Sequence, residues 1–249
     1  MKSSVLFYTA VVMCEYPFCC SAYITLTGAI QERSYNPYYT LVCQQLCHNS
    51  HSYKITLQFS LWDFLRDLGE TTVGGAAVIK NIKEDDGFDV KTISQTRLQN
   101  VAKAYAWWIA KDCVTLLILK VCMKQCKSQA PIELIKCTFQ PVDFTLLKPQ
   151  TQTFLRELFI QLFINSQRST PFLTSDYTKT TFTRNRNAVE EIFIKASRVQ
   201  ALAMGIVYFL SESFKTKSSS DDEYTKFIRW AVGIAKETLR TGVDLIPTL

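Results

Sequence analysis

The sequence predicts an all-α protein of stacked antiparallel helix pairs, a HEAT- or armadillo-like α-solenoid. Three observations carry this prediction. Apolar residues recur at helical spacing in successive segments, several of them opened by a capping residue or a proline. Glycine and proline are scarce, 8 and 7 in 249 residues, too few for the turns of a β-sandwich. No segment shows the alternation of a half-buried strand. No tight sequence repeat is present, so the solenoid rests on helix pairing across short turns.

The elements follow in chain order. "MKSSVLFYTAVVMC" places one lysine before a short apolar run, and "CSA" has the small residues of a cleavage site, so the start is signal-like. That run is too short to span a bilayer, and no other segment looks transmembrane. Asn36-Pro37 opens the first clear helix: Asn36 can cap it, and Pro37 suits a first position whose N–H would be unpaired anyway. Tyr38, Leu41, Val42 and Leu46 continue it at helical spacing, and "HNS" breaks it. Ser52 can cap the next helix, where Ile55, Phe59, Trp62 and Leu65 share a face widened by Leu61, Phe64 and Leu68. Gly69 stops it.

"GETTVGGAAVIKNIKEDDGFD" reads as a loop. A long helix follows, with Leu98, Val101, Tyr105 and Trp108 on one stripe and Ala102, Ile109 and Cys113 thickening it. Another begins at Pro149, with Phe154, Leu155, Leu158, Phe159 and Phe163 as its apolar side. "NSQRSTPFLTSDYTKTTFTRNRN" is a polar connector. The last two predicted helices are "AVEEIFIKASRVQALAMGIVYFL" and "EYTKFIRWAVGIAKETLRTGVDLI", the second begun by Asp221 or Asp222 and ended near Gly242.

The chemical inventory favours a binding scaffold over an enzyme. His48 and His51 are the only histidines and share one connector. With Cys47 they make three ligands at most, where zinc takes four. Cys122, Cys126 and Cys137 lack a CxxC pair and a nearby histidine. There is no P-loop, no GxSxG and no GxGxxG before a helix. No catalytic residue, cofactor or metal is therefore expected. The net charge of +6 fits an acidic partner such as RNA. Trp107-Trp108 could stack on bases, but on an amphipathic helix at least one belongs to the core. The candidate RNA contact lies in the connector, where Arg168, Lys179, Arg184 and Arg186 surround Tyr177 and Phe182. The nine cysteines are odd in number, and Cys43 and Cys113 fall in apolar helical patterns, as small buried thiols do. This points to a reducing compartment.

"QERSYNPYYTLVCQQLC" followed by "HSYKITLQFSLWDFLRDL" resembles the MI (MA-3) domain, a helical-repeat module of initiation factor 4G-like scaffold proteins. The "YNPYY" and "LQFSLWD" elements, with the ending "LAMGIVYFL…WAVGIAKETLRTGVDLIPTL", resemble its nucleolar branch, the suppressor of glycerol defect family. The resemblance covers about 31–121 and 141–249. It implies an all-helical fold, no catalytic residues and a role in small-subunit ribosome assembly in the nucleus and nucleolus. Of the structural motif Tyr35, Asn36, Pro37, Tyr38, Phe59 and Trp62, the first three then set a helix start, while Tyr38, Phe59 and Trp62, with Leu41, glue two helices into a rigid pair. The resemblance also implies that full-length members carry a second helical domain that binds a DEAD-box RNA helicase, and this chain is expected to lack it.

Residues 1–30 and about 121–140 depart from the resemblance. They hold six of the nine cysteines, and are expected to be translated non-coding sequence. The expected organisation is 1–30 as a non-family or signal-like segment and 31–166 as an MI-like domain with an insertion near 121–140. A basic connector at 167–187 and a helical extension at 188–249 complete it. The expected function is a non-catalytic nucleolar scaffold for pre-rRNA processing, with pre-ribosomal RNA or ribosome assembly factors as partners and neither small-molecule substrate nor membrane. The alternatives are a splicing or translation-initiation scaffold binding a DEAD-box helicase and, from residues 1–22 alone, a secreted or membrane-associated helical protein.

Overall fold

The structure, a computed structural model, describes residues 35–70, 93–124, 137–171, 183–215 and 222–244. Helix α1 spans Pro37–Asn49, and Asn36 Oδ1 accepts the Tyr38 N–H at 3.0 Å. Helix α2 spans His51–Asp67. Its cap is Ser50 rather than the expected Ser52: Ser50 Oγ accepts the Ser52 N–H at 3.4 Å. The break is shorter than "HNS" implied because extended Ser50 alone turns the chain. Gly69, at φ +96°, follows α2 in a conformation that other residues rarely adopt. Helix α3 spans Gln95–Ala110, capped by Ser94, and a 3₁₀ turn covers Leu116–Leu119.

One expectation fails in the next segment. Lys120–Lys124 and Cys137–Pro141 form strands β1 and β2, paired antiparallel from Lys120 opposite Pro141 to Lys124 opposite Cys137. Both fall within or beside the expected insertion. Alternation could not reveal them: each is five residues long, and the pairing joins positions up to 21 apart. The fold remains predominantly helical.

Helix α4 spans Pro149–Ser166. Its start has no side-chain cap from Lys148. Instead the Lys148 N–H donates to Glu70 Oε1 at 2.9 Å, which sets a carboxylate against the positive end of α4. The single helix expected over 188–210 is two: α5, Arg186–Ser197, and α6, Gln200–Ser213, separated at an extended Val199. An unbroken helix over Arg186–Ser213 would be about 42 Å long. The break folds it so that both halves pack on α7, Glu223–Asp244.

The core is continuous. Helix α3 packs most extensively on α4, and α5 on α7. Phe64 of α2 meets Phe154 of α4 edge-on at 5.1 Å between ring centres. Phe159 of α4 meets Phe193 of α5 at 6.3 Å and Phe209 of α6 at 5.8 Å. Three buried tryptophans each donate an indole N–H to another element: Trp62 to the Ile118 carbonyl (2.9 Å), Trp107 to Gln44 Oε1 (2.6 Å) and Trp108 to the Thr40 carbonyl (2.9 Å). Both Trp107 and Trp108 are thus core, and neither can stack on a base. Tyr105, fully buried, donates to the Leu57 carbonyl at 2.7 Å.

The apolar face predicted for the first hairpin is partly misplaced. Trp62 and Leu65 are buried, but Tyr38 is 65% exposed, Phe59 54%, Leu41 44% and Ile55 43%. The residues that bury α2 are Tyr53, Leu57, Leu61, Trp62, Phe64 and Leu65, and those of α1 are Thr40, Cys43 and Cys47. Tyr38, Leu41 and Phe59 therefore do not glue the pair. Tyr35 is half-buried, donates to Thr40 Oγ1 at 3.1 Å, and carries Lys103 over its ring.

Candidate functional site

The first surface is the outer face of the α1–α2 hairpin. On α1, Tyr38, Leu41, Gln45 and His48 are exposed at i, i+3, i+7 and i+10, one stripe of the helix. On α2, His51, Ile55 and Phe59 are exposed at i, i+4 and i+8. Four large apolar side chains thus face solvent on one hairpin, opposite its buried side. Phe59 is braced edge-on against buried Trp62, 5.3 Å between ring centres. A braced aromatic loses little side-chain entropy on contact, which suits a protein partner.

The second surface is the end of the connector, where α5 meets α7. Arg184 pairs with Glu223 at 2.6 Å. Arg186 bridges Glu190 at 2.6 Å and Glu237 at 3.0 Å, and these carboxylates raise its already high pKa further. All these side chains remain substantially exposed, so phosphate can reach the guanidinium groups only in competition with the carboxylates. Arg168 is half-buried, and its backbone carbonyl accepts the Lys111 ammonium. That ammonium sits 4.8 Å from the centre of the Trp107 ring, and burial lowers its pKa. Lys179, Tyr177 and Phe182 lie outside the described residues. The structure therefore brings Arg184 and Arg186 together and places Arg168 nearer Lys111.

Sequence reading missed the basic line on α7. Lys226, Arg229 and Arg240 are exposed, and Lys236 is half-exposed. The signal was present as basic residues at i, i+3, i+10 and i+14, but only the start and the end of that helix were read from the sequence.

The interior holds three buried thiols. Cys43, Cys47 and Cys113 are buried and free. Burial, with Cys113 nearby, pushes the Cys43 thiol up to about 12. The Cys113 thiol is pushed well above its ordinary value by its hydrogen bond with the Cys47 side chain and by burial. Cys47 faces inward while His48 and His51 are exposed, so helix geometry parts the metal trio weighed from sequence. Among the described residues, no group of three or more His, Cys, Asp or Glu side chains could hold a metal ion. No helix among them is long and apolar enough to cross a membrane.

Comparison with known proteins places residues 20–115 in a match to the MA3 domain. The match starts eleven residues before the boundary drawn at 31 and takes in α1, α2 and α3. The chain is 31% identical over 143 residues to suppressor of glycerol defect protein 1 of Schizosaccharomyces pombe, covering 57% of this chain and 14% of that protein. It is 37% identical over 46 residues to nucleolar MIF4G domain-containing protein 1 of Mus musculus and 35% identical to its Homo sapiens counterpart. Each of these covers 18% of this chain and 5% of the relative. The chain thus spans only a small fraction of the curated relatives it matches. No solved structure matches it. These matches bear out the resemblance read from "YNPYY" and "LQFSLWD".

Proposed function

We propose that this chain, which carries an MA3 domain and is homologous to suppressor of glycerol defect protein 1 and nucleolar MIF4G domain-containing protein 1, is a non-catalytic helical scaffold of the nucleolus. It supports small ribosomal subunit assembly and pre-rRNA processing by binding protein and RNA. The observation that carries this reading is the homology to a protein named as nucleolar. The hairpin inside the MA3 match agrees with it, since it offers a braced apolar face for protein contact. RNA contact is assigned to the connector 167–187, through Arg168, Lys179, Arg184 and Arg186 with Tyr177 and Phe182 as stacking groups.

The test is to express the tagged chain in cells, image it against a nucleolar marker and identify the proteins that co-purify. Nucleolar signal with small-subunit assembly factors supports the reading. Splicing or translation-initiation factors in their place, with signal outside the nucleolus, overturn it in favour of a helicase-binding scaffold.

A further inference from the structure

Three glycines stand inside the last two helices, and two are explained by packing. A Cβ on Gly205 of α6 would lie 2.5 Å from Cδ2 of the Phe144 ring. A Cβ on Gly242 of α7 would collide with the Ser197 side chain. The third, Gly233, is exposed in the middle of α7, and a Cβ there would meet nothing within 4 Å. Glycine inside a helix is markedly less favourable than alanine. Among the described residues, nothing packs at Gly233 to offset that penalty.

Its neighbours on the helix surface supply a reason. At 3.6 residues per turn, Lys226, Arg229, Gly233, Lys236 and Arg240 all fall within an arc of about 80°. From Lys226 to Arg240 the line runs about 21 Å along the helix. Glu223 and Glu237, beside it, are neutralised from the connector, Glu223 by Arg184 at 2.6 Å and Glu237 by Arg186 at 3.0 Å, while Asp222 and Asp244 stand at its two ends. Among the described residues, no ion pair engages Arg229, Lys236 or Arg240. The result is a straight basic edge with a gap at its centre where only hydrogen stands.

We propose that this face of α7 is a docking surface for the phosphate backbone of RNA, with Arg229, Lys236 and Arg240 as the phosphate contacts and Gly233 as the point of closest approach. A continuous, evenly charged polyanion matches a line of cations of this length. Close approach of a backbone to a helix is what a side-chain-free position permits. Arg184 and Arg186 of the connector, besides their own part in the contact, cancel the acids beside the line. The proposal deepens the RNA-binding part of the proposed function, rests on it, and extends the contact from the connector to α7.

The experiment measures binding of the full chain to a short labelled RNA strand and a short labelled RNA duplex across a salt series, with polyglutamate as a competing polyanion. The variants are Arg229→Gln/Arg240→Gln, Gly233→Leu and a control, Lys148→Gln/Lys215→Gln, which removes two exposed charges from other elements. The parent is expected to bind RNA, with polyglutamate a poor competitor. The arginine pair variant is expected to lose at least ten-fold in affinity and about two units of salt slope. Gly233→Leu keeps every charge, and is expected to hold or raise Tm while losing at least three-fold in affinity. The control is expected to move affinity less than two-fold. A parent that binds RNA while the α7 variants bind like the control overturns the α7 assignment and leaves the RNA-binding scaffold standing. A parent that binds no RNA overturns both. Polyglutamate competing as well as RNA, charge for charge, makes the face a site for acidic protein segments and overturns the RNA assignment.

Discussion

Trp62 on α2 donates its indole N–H to the backbone carbonyl of Ile118 in the 3₁₀ turn, 2.9 Å away and 56 residues on in the chain. One side chain thus ties the first hairpin to the segment after α3 and fills the core between them.

Replacing Trp62 with alanine is expected to lower stability by about 3–5 kcal/mol, the usual result of emptying a large buried aromatic site. Trp62→Phe keeps much of the volume but leaves the Ile118 carbonyl without its donor. The loss there is expected to be about 1–3 kcal/mol. Urea midpoints of the two variants check both values. A Trp62→Ala midpoint equal to the parent's would show that Trp62 is a contact residue and not core.

Phe59, three residues away, should behave oppositely. It is 54% exposed and touches the core through the edge of Trp62. Phe59→Ala is expected to cost less than about 1 kcal/mol. If the hairpin face binds protein, the same variant reduces recovery of co-purifying factors while its unfolding curve stays near the parent's. A loss of stability as large as that of Trp62→Ala would place Phe59 in the core after all.

The contrast between these two aromatics marks how far the sequence could be read. The start of α1 was legible because its determinants are local: Asn36 caps a residue two positions on. The buried face of α2 was not, because apolar residues stand all round that helix. Tyr53, Ile55, Leu57, Phe59 and Leu61 each had a claim, and periodicity alone could not choose. The break at Val199 carries no proline or glycine, and exists because both halves pack on α7. Arg184 and Arg186 looked like free cations because Glu223 and Glu237 lie 39 and 51 residues from them, although Glu190, four residues beyond Arg186, was a partner within reach of sequence reading. Charge counting along the chain cannot see such a pairing.

Gly205 makes a further test of packing. A methyl group there would press on the Phe144 ring, which also packs near Phe209 at 6.0 Å. Gly205→Ala is expected to destabilise by about 1–3 kcal/mol through overpacking, although alanine is the better helix former. Thermal unfolding monitored by circular dichroism reads this directly. A raised Tm would mean that the Phe144 ring moves aside at little cost.

Stability should fall in alkali. Burial holds the Cys43 thiol protonated up to about 12, against an ordinary value of 9.0, while Tyr105 is raised by burial as well. The unfolded chain releases these protons first. Their contribution is therefore complete below pH about 9 and is lost as pH rises towards 12. The urea midpoint is expected to drop across that window, and Cys43→Ala to make the drop shallower. A midpoint that is flat to pH 11 would contradict the protection of these groups.

The proposed role of the chain is that of a scaffold on precursors of the small ribosomal subunit. Crosslinking the tagged chain to RNA in living cells and sequencing what is recovered tests it most directly. Enrichment of precursor rRNA of the small subunit over messenger RNA is the expected result. Recovery of messenger or spliceosomal RNA alone, or of no RNA above an untagged control, would contradict it.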